Sequence, residues 1–185
     1  RKFAVRCKSV VGQRVFLQHA LMENGTIWGH GAYLGPDFSA EYLHTLTRDA
    51  QEWFATNRYQ RSWSTLSPAE QDAVTAEVVS LLEQNRYDAK SGTLTFTEAE
   101  QLSFQKQIAK WAAYFSQPAT NAGLPAKYIT DATELRQLTA FFAWTAWASA
   151  AHRPGKNYSY TNNFPYDPAA GNKLSSDAIL WSALS

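Results

Sequence analysis

The sequence is poor in the residues that carry most recognisable chemistry. A single cysteine, Cys7, excludes an intrachain disulfide, a cysteine-rich zinc site and an iron–sulfur cluster, and leaves the redox compartment open. No apolar run reaches the ~18 residues that read as a bilayer span. Charged residues make up 18% of the chain, against about 25% in typical soluble domains. The 17 Lys and Arg nearly cancel the 16 Asp and Glu, so no global field suits nucleic acid or an anionic membrane. The chain has no HExxH or paired-histidine spacing, no G-x-S-x-G elbow, no phosphate-binding loop and no cysteine set beside a histidine. Gly29-x-Gly31 lacks the third glycine and the preceding strand of a dinucleotide fingerprint. An independent enzyme is poorly supported. No secretory-leader pattern opens these residues, and the opening Arg1-Lys2-Phe3, without Met, is expected of an excised or processed piece.

Aromatic residues are what the chain has in plenty: 7 Trp, 9 Tyr and 10 Phe among 185 residues, enough to exclude disorder. The length suggests one domain, burying roughly 70% of its unfolded surface. Low charge with many tryptophans suggests a surface partly covered by a partner.

Periodicity predicts a mainly α protein. Residues 10–23 form a first helix. Ser39 reads as the N-cap of a helix to about Tyr59, with Leu43, Leu46, Ala50, Trp53 and Phe54 on one stripe. Ser67-Pro68-Ala69-Glu70 is a capping box with proline at the first helical position, opening a helix to about Asn85. Thr97-Glu98-Ala99-Glu100 is a second box, and Phe104, Ile108, Trp111 and Phe115 mark a helix ending before Pro118. Thr130-Asp131 opens a last helix to about His152, broken by Arg153-Pro154-Gly155. Lys90-Ser91-Gly92 with strand 93–96 signals a small hairpin that needs helices to pack on. Gly29–Asp37 and Pro154–Leu174 read as long ordered loops, the usual place for function.

Several residues stand out. His30 lies between Gly29 and Gly31, either a ligand in a tight loop or, more commonly for such a residue, a histidine bonded to backbone. His19, His44 and His152 lack metal spacing and read as structural or exposed. Phe141-Phe142-Ala143-Trp144-Thr145-Ala146-Trp147 is apolar around most of its helix, which fits a central core helix with one face free to meet another domain. The basic start (Arg1, Lys2, Arg6, Lys8) reads as a solvated leader or membrane-proximal segment rather than a nucleic-acid arm. At the other end, residues 175–185 read as a helix start with Trp181 placed for a membrane–water interface.

Leu21–His44, containing Ile27-Trp28-Gly29-His30-Gly31-Ala32-Tyr33-Leu34-Gly35-Pro36-Asp37, resembles the N-terminal hydrophilic region of quinol-dependent nitric oxide reductases. So do Arg153–Asn172, Leu180-Trp181-Ser182, the 141–147 aromatics and Gly123-Leu124-Pro125. The resemblance implies a cytochrome c-like helical domain over residues 1–174, with 175–185 beginning a transmembrane helix. It implies an extracytoplasmic (periplasmic or outer-face) position between two membrane spans. The parent chain would reduce two nitric oxide molecules to nitrous oxide and water with electrons from quinol, using haem b and a non-haem iron. None of their ligands falls on these residues, so the fragment itself is non-catalytic. Its partner would be the membrane-embedded part of the same polypeptide, and nucleic acid would not be one.

Haem-bearing relatives carry Cys-x-x-Cys-His-Thr-Leu-Leu-Gly-Glu-Gly-Ala-Tyr. Gly29-His30-Gly31-Ala32-Tyr33 matches its last five positions, with His30 in place of the glutamate. The haem-attachment positions then fall on Leu21, Asn24 and Gly25, so the resemblance implies no haem c, its space filled by Trp28, Phe38 and the 141–147 aromatics. By position it also implies that the Gly31 carbonyl and the Tyr33 hydroxyl are calcium ligands completed by the parent chain. Trp28, Gly29, His30, Asp37, Asn162 and Asn163 are expected to have interface or structural roles. Two other readings remain: the same domain of a nitric oxide dismutase, and a free-standing aromatic-rich binding module, for instance for carbohydrate.

Overall fold

A computed structural model describes residues 3–6 (as backbone), 9–118 and 121–162, together with Ser175, Ser176 and Leu180. Asn163 and nearly all of the expected 175–185 helix start lie outside the described residues.

The chain folds as a mainly α domain. β1 (Phe3–Arg6) and α1 (Ser9–Gln18) are followed by a short 3₁₀ turn, Leu21–Glu23. β2 (Thr26–Ile27) and β3 (His30–Gly31) lead into α2 (Phe38–Tyr59) and α3 (Pro68–Glu83). β4 (Tyr87–Asp88), β5 (Thr93–Phe96), α4 (Glu98–Ser116) and α5 (Ala132–Ala150) complete the order.

The helix boundaries follow local chemistry. The Ser67/Glu70 and Thr97/Glu100 boxes both form, each carboxylate accepting from the backbone N–H and hydroxyl of its cap residue. Those bonds from Ser67 hold the Glu70 carboxyl below its ordinary pKa. α5 begins where Asp131 accepts from the Glu134 amide at 2.8 Å.

Two expectations need correction. The first helix stops at Gln18, because Ala20 turns left-handed (φ 47°) and starts the 3₁₀ turn. Asp37, not Ser39, caps α2, accepting from the Ala40 amide at 2.9 Å. Ser39 lies buried inside the helix, its hydroxyl taken by the Trp28 amide. Within the basic start, Phe3–Arg6 forms a strand that the periodicity did not announce, pairing antiparallel with β5, Phe3 opposite Phe96 and Arg6 opposite Thr93. The expected hairpin forms, β4 with β5, and β1 extends it to a three-stranded sheet, β1-β5-β4.

Phe38 is the hub of the core. Its ring is fully buried and stacks on Phe142 of α5, 4.7 Å between centroids and 7° from parallel. Phe16 of α1 and Tyr114 of α4 meet it edge-on at 5.8 and 6.2 Å, and Trp111 sits 5.5 Å away. One aromatic ring thus joins α1, α2, α4 and α5, in geometries that add to simple area burial. α1 reaches α5 closely because Gly12 has no side chain: a Cβ there would lie 2.2 Å from the Gln137 carbonyl oxygen. A second cluster, with Ala50, Leu66, Val74 and Val78, seals α2 against α3. The buried Arg86–Glu100 pair ties the sheet to α4, and Arg86 also donates to the Leu81 and Thr95 carbonyls.

Phe38→Ala is expected to destabilise the chain by about 3–5 kcal/mol in urea unfolding, the range for truncating a buried aromatic. A loss under about 1 kcal/mol would show that Phe38 is not the hub of the core.

Candidate functional site

Residues 21–37 form a tightly bonded loop. β2 and β3 pair as a two-residue hairpin, Thr26 opposite Gly31 and Ile27 opposite His30. The turn between them places Trp28 (φ 54°) and Gly29 (φ 77°) in left-handed conformations, the pattern that suits a right-twisted hairpin. Glycine adopts this freely. A tryptophan there is strained by about 1–3 kcal/mol and persists only if its surroundings hold it. Here the Trp28 indole N–H donates to the Thr145 carbonyl of α5 at 2.9 Å, and its ring lies 6.1 Å from Trp144. Gly31 (φ 138°) has no substitute, since a Cβ would meet the Gly25 carbonyl oxygen at 2.4 Å.

Asp37 organises this loop. One carboxylate oxygen accepts from the Thr26 hydroxyl at 2.8 Å and the Gly29 amide at 2.6 Å, while the other caps α2. The same residue therefore fixes the hairpin and starts the helix whose first residue is Phe38.

The three positions matched to haem attachment are closed. Leu21 is fully buried. The Asn24 amide donates to the Asn121 carbonyl at 2.9 Å and accepts the Tyr114 hydroxyl at 2.8 Å. Burial raises the Tyr114 pKa, and its bond to Asn24 opposes that rise. Gly25 lies so close to Pro36 and Phe38 that a Cβ would sit 2.2 Å from the Pro36 oxygen. The interior beyond them is the Phe38 cluster. These residues do not fit a covalently held haem, lacking both its sulfur anchors and its volume. An open groove of about 500 Å³ runs beside the loop, between Leu34, Pro36, Trp111 and Tyr114.

Part of the loop faces solvent. Tyr33 is 84% exposed and its hydroxyl donates to the Gly29 carbonyl at 3.1 Å. Gly31 and His30 are also exposed. Carbonyl and hydroxyl oxygens suit calcium. Among the described residues no cluster of three or more His, Cys, Asp or Glu surrounds them. Trp28, Gly29, Gly31, Tyr33 and Asp37 are thus brought together in one loop. Asn162 belongs to another cluster, its carbonyl accepting from Arg153 at 2.6 Å. The two clusters share α5, because the Tyr160 amide bonds the Ala148 carbonyl about one turn beyond Thr145. His19 bonds Glu134 at 3.0 Å and His152 lies 3.7 Å from Glu83, while His44 is exposed. Sequence reasoning missed the Asn24 network and the capping role of Asp37, which it expected as an interface or structural residue. Asp37 directly after Pro36 and before an apolar residue was the available signal.

A family model for the cytochrome c-like domain of nitric oxide reductase NorB matches residues 7–166. No curated protein matches the chain. No helix among the described residues is long and apolar enough to cross a membrane.

Replacing Asp37 with Ala removes a helix cap and two loop bonds. We expect a loss of about 1–2 kcal/mol, with faster amide hydrogen exchange at both Gly29 and Ala40. Unchanged exchange at Gly29 would show that the loop is held by something else.

Proposed function

The chain belongs to the family of NorB cytochrome c-like domains of nitric oxide reductase, and from that premise we propose that it is the extracytoplasmic, haem-less cap of a quinol-dependent nitric oxide reductase. The observation that carries this reading is the closed interior. Where the haem-bearing pattern has its anchors, this chain has Leu21, Asn24 and Gly25, and behind them Phe38 stacked on Phe142.

A domain without haem does not relay electrons through itself. Electrons would enter from quinol within the membrane part of the parent chain, which holds haem b and the non-haem iron. This chain's residues serve a different task, covering the membrane core and excluding water from the haem propionates. The loop 28–33 supplies the contact, its backbone held rigid by Asp37 and by the Trp28 bond to α5. The Gly31 carbonyl and Tyr33 hydroxyl would contribute two oxygen ligands to a calcium ion completed by the parent chain. Calcium takes ~6–8 oxygens, so the chain alone would hold it weakly.

Two experiments test the reading. Anaerobic membranes with the full parent chain are given nitric oxide with and without reduced quinol, while nitrous oxide, dinitrogen and oxygen are followed. Quinol-dependent nitrous oxide is the expected result. Oxygen and dinitrogen without quinol would assign the chain to a nitric oxide dismutase, and untouched nitric oxide with intact haems would favour a binding module. In the same membranes, Tyr33→Phe is expected to lower calcium per parent chain and to shift the haem spectra. Unchanged calcium and spectra would remove Tyr33 from the ligand set.

A further inference from the structure

α2, α4 and α5 leave a small cavity where they meet. It holds about 10 Å³, close to the room one water molecule needs. Tyr42 of α2, Glu100 of α4, and Ala143 and Trp147 of α5 are among its walls. Wholly apolar cavities stay dry, whereas those with two to four hydrogen-bonding groups hold ordered water.

The polar groups here are matched to such a guest. The Trp147 indole N–H is buried and finds no protein acceptor. An unmet buried donor costs about 1–3 kcal/mol, so native structures rarely leave one. Tyr42 is 1% exposed; burial, with the Glu100 and Asp49 carboxylates nearby, raises its pKa well above the ordinary value. The phenol is therefore a neutral donor and acceptor at physiological pH. Glu100 spends one oxygen on Arg86 and the other on Thr97, and each carboxylate oxygen accepts more than one bond. Tyr42, Glu100 and Trp147 all line the cavity, and a guest with both donors and acceptors, the size of one water, suits these groups.

We propose that this cavity is a binding site for a single ordered water, which accepts the Trp147 indole proton and hydrogen-bonds the Tyr42 hydroxyl and the Glu100 carboxylate. The water joins α5 to α2 and α4 from the inside. On its outer side the Trp147 ring packs against Tyr87 at 5.7 Å and Tyr160 at 5.1 Å. Fixing the indole from within therefore positions the segment that returns past α5 after Arg153. The site is independent of the quinol and calcium readings above.

The test is heteronuclear NMR on the chain with ¹⁵N-labelled tryptophan. A cross-relaxation peak is expected between the Trp147 indole proton and water, with opposite signs in the laboratory and rotating frames, which distinguishes bound water from proton exchange. No such peak at an assigned Trp147 indole proton would overturn the proposal. Ala143→Leu overfills a cavity of this size, and is expected to abolish the peak and to lower the melting temperature by overpacking, while the other tryptophan signals persist. A peak that persists in that variant would place the water elsewhere and would equally overturn the proposal. The peak in the unsubstituted chain decides the question if Ala143→Leu does not fold.

Discussion

The junction of Asp37 and Phe38 is the constraint on which the rest depends. Asp37 binds the Thr26–Gly29 hairpin and caps α2, and the next residue drives its ring into the stack with Phe142. The loop at the surface and the aromatic core are thus fixed by adjacent residues. Any displacement of α2 along its axis would move both. This explains how a loop with a strained Trp28 and with Gly31 at φ 138° holds one conformation. Its strain is offset by bonds to α5 and α2, which the core keeps in place.

Much of this was legible in the sequence. The two capping boxes, the apolar stripes behind them and the break at Gln117-Pro118 rest on contacts within a few residues, and all formed near the expected positions. The start of α2 was harder, because Asp37 and Ser39 are both good cap residues. The choice is made by tertiary packing, which buries Phe38 and gives the Ser39 hydroxyl to Trp28. β1 was missed for the same kind of reason: its partner Phe96 is far along the chain, and four residues carry too little pattern to announce a strand. In the candidate site, the glycines and Tyr33 were visible as a motif. The buried Asn24 network was not, since its partners Tyr114 and Asn121 lie nearly a hundred residues away.

The family assignment and the core together frame the proposed function. A haem-bearing cytochrome c-like domain folds around its haem, which supplies much of the interior. In this chain the interior is supplied by Phe16, Phe38, Trp111, Phe115 and Phe142, packed against one another. On the proposed reading, the helical frame and its outward loop are kept and hydrocarbon stands where the electron-carrying group would be. On the proposed reading, positioning and shielding would be the work left to the domain.

The folding of the chain made without any haem bears most directly on that replacement. Near-ultraviolet circular dichroism reports whether the aromatic core is fixed, and urea titration reports whether it unfolds cooperatively. A strong near-ultraviolet signal and a single sharp transition are expected, neither changed by added haem. A chain that keeps its helices but lacks fixed aromatic packing, and gains it only when haem is supplied, would contradict the claim that aromatic side chains have taken the cofactor's place.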